Sequence, residues 1–66
     1  MNYLFKALVA KLEGQVEMAK ANLIAYQRNP VGIGEHSEIV EAMETEVEKI
    51  AQAQEKIEII KEHFPN

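Results

Sequence analysis

The stretch NPVGIGEHS, residues 29–37, interrupts a chain that otherwise reads as helix from end to end. Pro30 and the pair Gly32 and Gly34 break any helical ladder, because proline lacks the N–H and biases Asn29 away from helix. Glycine also opens backbone angles that other residues resist. The spacing fits no phosphate loop: the Gly-x-x-x-x-Gly-Lys-Ser/Thr pattern is missing, and no strand precedes it as a dinucleotide fingerprint requires. The stretch therefore reads as a bend, with Asn29, Pro30, Gly32, Gly34 and Ser37 shaping it and Ile33 tucked as a plug into the open end between two helices.

On the N-terminal side, Phe5, Leu8, Val9, Leu12, Val16, Ala19, Leu23 and Tyr26 recur at helical spacing and form one stripe at about 100° per residue. Asn2 is the expected N-cap, and Arg28-Asn29-Pro30 the stop, giving a helix over about residues 3–28. On the C-terminal side, Ser37 is the expected N-cap of a helix over about residues 38–63, with the bend spanning 29–37. Glu38 and Glu41 suit its positive first turn, and Lys61 and His63 its negative last one. Met43, Ile50, Ile57 and Phe64 repeat every seven residues, joined by Ile39, Ala53 and Ile60. Val40 and Val47 are expected to widen this seam, and Glu46 is the one charge that intrudes on it. Two helices of equal length joined by a short bend predict an all-α fold, an antiparallel two-helix hairpin forming a single domain over residues 1–66.

Sixty-six residues without cysteine give a core that is marginal on its own, since neither disulfides nor thiolate metal sites supply stability. Burial against another chain is the expected remedy. Opposite the core stripe of helix 1 lie Ala7, Ala10, Gly14, Met18, Ala21 and Ala25, a small uncharged face flanked by narrow polar strips. Such a face lets a second helix approach closely, and Gly14 costs about 1 kcal/mol against alanine, which a packing role would explain. The expectation is a homodimer: helix 1 against helix 1 of a second copy, the acidic helices outside, a four-helix bundle in all.

Charge separates the two halves. Residues 1–28 carry Lys6, Lys11, Lys20 and Arg28 against Glu13 and Glu17, a net of +2, whereas residues 29–66 carry nine glutamates against Lys49, Lys56 and Lys61, a net of −6. That division suits two halves folded together and does not suit nucleic-acid binding, which needs a basic face. Glu41, Glu48, Glu55 and Glu62 form an outward row; it reads as a solubilising exterior, with docking to a basic partner or imitation of nucleic-acid phosphates as alternatives. At seven-residue spacing these carboxylates stand about 10 Å apart and build no acid/base pair. Glu17-Lys20, Glu46-Lys49 and Glu58-Lys61 are expected helix-supporting pairs.

No nucleophile set, metal cluster or cofactor motif emerges. His36 and His63 fall at opposite ends of one helix, and neither has the Glu-x-x-His spacing of di-iron bundles, so a metal-binding bundle subunit stays a distant alternative. The opening MNYLFKALVAKL lacks a basic n-region and a cleavage site, and its Leu4, Phe5, Leu8 and Leu12 are needed for the core rather than for a membrane surface. No membrane partner, no catalysis and a cytoplasmic location are expected.

The segments NPVGIGEHSEIVEA and KIAQAQEKIEIIKEHF together resemble small helical-hairpin proteins of unassigned activity encoded by tailed bacteriophages, including those of cyanobacteria and other marine hosts. The resemblance spans roughly residues 20–64, with the loop as its most specific part. It implies a phage-encoded hairpin in an infected host's cytoplasm and, by analogy, a protein that binds and modulates a host protein. It transfers no site residues.

Overall fold

The computed structural model describes residues 2–28 and 36–65. It contains two helices, α1 (Tyr3–Arg28) and α2 (His36–His63), packed along their length. The bend residues Asn29, Pro30, Gly32, Ile33 and Gly34 lie outside the described residues. α2 begins two residues before the expected start, so Ser37 is its second residue and not a residue preceding it. Glu38 thereby falls in the first turn, and Glu41 falls beyond it.

Local chemistry accounts for the α1 start. The Asn2 carboxamide oxygen accepts a hydrogen bond from the backbone N–H of Phe5 at 2.9 Å. The Asn2 carbonyl accepts from Lys6 N–H at 3.0 Å. One side chain thus supplies a partner to one of the donors that a helix N-terminus leaves free. At the other end of the hairpin, Phe64 N–H donates to Ile60 O at 2.8 Å, carrying the ladder one residue past His63.

The helices are antiparallel. Phe5, near the start of α1, stacks on Phe64 at the end of α2, with ring centroids 4.8 Å apart and planes 15° from parallel. Nearer the bend, Asn22 reaches Glu46. Between these contacts Val9, Leu12, Val16, Ala53 and Ile60 form the buried cluster, with Phe5, Ile50 and Ile57 packed against it. Ala19 and Ile39 are buried as well. Leu23, Tyr26 and Met43 are half-buried.

Four expected core residues fall outside this seam. Leu8 is exposed at its edge, and Leu4, Val40 and Val47 are 64%, 64% and 53% exposed. The reason is geometric. A single facing helix covers a narrower arc than a bundle does, and Val40 and Val47 sit about 100° round α2 from the line of contact. The result is a rod of 47 × 14 × 13 Å. Its radius of gyration is 14.9 Å, against roughly 11 Å for a compact chain of this length.

Candidate interaction surfaces

Ala7, Ala10, Gly14, Ala21 and Ala25 run along the side of α1 turned away from α2, Met18 stands at its edge beside α2, and all six are exposed. A methyl group added at Gly14 would meet nothing within 4 Å. The face is open and shallow. Met18, 69% exposed, is its one large apolar side chain.

The structure adds two grooves that periodicity alone does not disclose, one on each side of the α1–α2 contact line. On one side Gln15, Met18 and Asn22 of α1 face Glu46, Lys49, Gln52 and Lys56 of α2 over a floor of Ala19 and Ala53, enclosing about 340 Å³. On the other side Glu13, Val16 and Glu17 face Gln54, Ile57 and Glu58 across about 440 Å³. The first groove carries Lys56 and the pair Lys49–Glu46, and the second carries Glu13, Glu58 and Glu17, the last beside Lys20.

Glu46 is the polar node of the interior. It is 6% exposed, and its Oε1 accepts from Asn22 Nδ2 and from Lys49 Nζ, each at 3.2 Å. Its Oε2 is buried with no hydrogen-bond partner among the described residues. A buried carboxylate oxygen without a donor is unfavourable, so this node weakens the hairpin relative to an apolar residue in the same place. The sequence marks Glu46 as an intruder on the seam. Its partner Asn22 is not foreseeable, because the pairing depends on the register between helices.

Surface charge pairs are sparse. Glu17 and Lys20 lie 3.5 Å apart, both exposed, a contact worth a few tenths of a kcal/mol at most. The expected Glu58-Lys61 pair is not among the ion pairs of the described residues; both side chains are exposed and remain solvated. Glu41, Glu48, Glu55 and Glu62 are all exposed on the outer side of α2. His36 and His63 are the first and last residues of α2. His63 Nε2 comes within 4.0 Å of Glu62 Oε2, an exposed neighbour contact. Among the described residues no group of three or more His, Asp or Glu side chains is arranged to hold a metal ion. No helix among them is long and apolar enough to cross a membrane.

Comparison with protein-family models, curated proteins and solved structures returns no match. The functional reading therefore rests on the surfaces themselves.

Proposed function

We propose that the chain is a non-enzymatic helical module that works by association, first with copies of itself through a surface to which α1 contributes. In the setting implied by the phage resemblance, the assembled module would then engage and modulate a host protein in the bacterial cytoplasm. One observation supports self-association above the others. Among the described residues nine large apolar side chains are exposed, on a rod far less compact than its length allows. Among the described residues there is no third element to cover them.

Sedimentation equilibrium over a wide concentration range, with helicity followed by circular dichroism, tests the reading. Reversible association of a helical species is expected. A fully helical monomer at high concentration would overturn it. The exposed row Glu41, Glu48, Glu55 and Glu62 supports a second reading, in which the outer face of α2 docks on a basic partner. Binding of a polylysine probe that is abolished when the four are changed to glutamine would favour this reading; binding that persists would exclude it.

A further inference from the structure

We propose that the hairpin has a weak half and opens there first: α1 beyond Ala19 and α2 before Ile50 unwind together beside the bend, while the terminal half stays paired. This opening belongs to the single hairpin and goes beyond the self-association reading.

The register fixed by Phe5 on Phe64 and Asn22 on Glu46 sets Ala19 close to the level of Ile50. Toward the termini lies the buried cluster of Val9, Leu12, Val16, Ala53 and Ile60, with Phe5 and Ile57 against it. That end is also fastened, by the Asn2 cap, the stacked rings and the Phe64–Ile60 backbone bond. Toward the bend the seam is poorer. No residue of α1 after Ala19 is buried, Leu23 and Tyr26 being half-buried. On α2 the residues from Glu38 to Lys49 bury only Ile39 and Glu46.

Glu46 makes the two halves differ in kind. Its Oε2 has no donor among the described residues of the closed seam, and unwinding returns both carboxylate oxygens to water. Opening the terminal half would instead expose apolar side chains and recover no such group. The residue before it adds to the weakness. Thr45 Oγ1 donates to the Glu41 carbonyl oxygen at 3.1 Å, a back-bond that offers the carbonyl an alternative partner and loosens a helix locally. Carboxylate and hydroxyl thus place the fault on one turn of α2, opposite Asn22.

Chain connectivity alone favours the reverse order, since free ends fray more readily than ends tied together. The tie resists only weakly. Unwinding from the bend lengthens the closed connection, and closure entropy grows only as the logarithm of its length. Segments that open short of global unfolding are those with few buried apolar contacts, which is the condition of this half. Opening uncovers Leu23, Tyr26 and Met43 beside Ile24, Val40 and Val47, which are already exposed. The closed hairpin therefore hides part of an apolar strip that the opened one presents whole.

Native-state amide hydrogen exchange of the full chain, read residue by residue by NMR, tests the proposal. Amides of residues 23–28 and 42–47 should exchange at least tenfold faster than those of residues 12–16 and 53–57, with one common protection factor on the two helices. Glu46→Leu should slow both flanks of the bend about tenfold. Phe64→Ala should speed residues 12–16 and 53–57 and leave the flanks unchanged. Flanks as protected as the terminal half, or protected to unrelated degrees on α1 and α2, overturn the proposal. So do flanks that ignore Glu46→Leu, or that speed up with Phe64→Ala as the whole hairpin would. Association is read separately by sedimentation, so failure here leaves that reading standing.

Discussion

The rings of Phe5 and Phe64 stack 4.8 Å apart and join the start of α1 to the end of α2. Phe64 is half exposed, yet it closes the end of the seam opposite the bend. A stacked aromatic pair contributes about 0.5–1.5 kcal/mol beyond its area. Phe64→Ala should destabilise the hairpin by about 1–2 kcal/mol and speed hydrogen exchange in the last turn of α2. Unchanged exchange there would show that the pair does not hold the end closed.

Asn22 and Glu46 give predictions of opposite sign. Asn22→Ala removes one of two donors from a buried carboxylate and should destabilise by about 1 kcal/mol. Glu46→Leu removes the carboxylate and its orphaned Oε2, while Lys49, 57% exposed at its side chain, returns to water. Replacing a buried ionic group by an apolar one of similar volume is neutral or stabilising, here by about 1–2 kcal/mol. Urea denaturation of both variants decides the matter; a loss of stability in Glu46→Leu would assign Glu46 a structural role that its hydrogen bonds do not explain.

Gly14 sits in the interior of α1 with open space where a methyl group would go. Gly14→Ala should therefore stabilise by about 0.5–1 kcal/mol through backbone entropy alone. For a chain of this size that corresponds to a rise of a few degrees in Tm. A fall in Tm, or weaker association, would mean that a second helix approaches the glycine backbone closely.

Leu12 and Leu8 share a helix and differ in burial. Leu12→Ala, at a buried site, should cost about 2–4 kcal/mol and leave little folded protein. Leu8→Ala, at the exposed edge, should leave helicity near wild type and weaken association. If both variants unfold alike, Leu8 belongs to the core of the assembled form.

The limits of α1, the hairpin topology and most of its seam were legible in the residues. Asn2 and the Arg28-Asn29-Pro30 stop are local signals, and Val9, Leu12, Val16 and Ala19 follow a period that any facing helix would impose. Ser37 misled by its type: a good capping residue marks a neighbourhood, and helix ends shift by a residue or two. Leu8, Val40 and Val47 misled for another reason, since periodicity reports an apolar arc without reporting how much of it one partner covers. The Asn22–Glu46 contact and the two grooves depend on the register of α1 against α2, which no single helix encodes.

Ala19 and Ala53 are the least exposed of the buried residues, at 1% and 2%. They stand near mid-length on helices about 40 Å long, the place from which a change in separation passes to both ends. A side chain even two carbons larger at either site would act as a shim under a pair of levers. It would draw Phe5 off Phe64 at one end and Asn22 off Glu46 toward the other. The gauge of the whole rod is thus set by two methyl groups, and every groove and contact along it inherits their width.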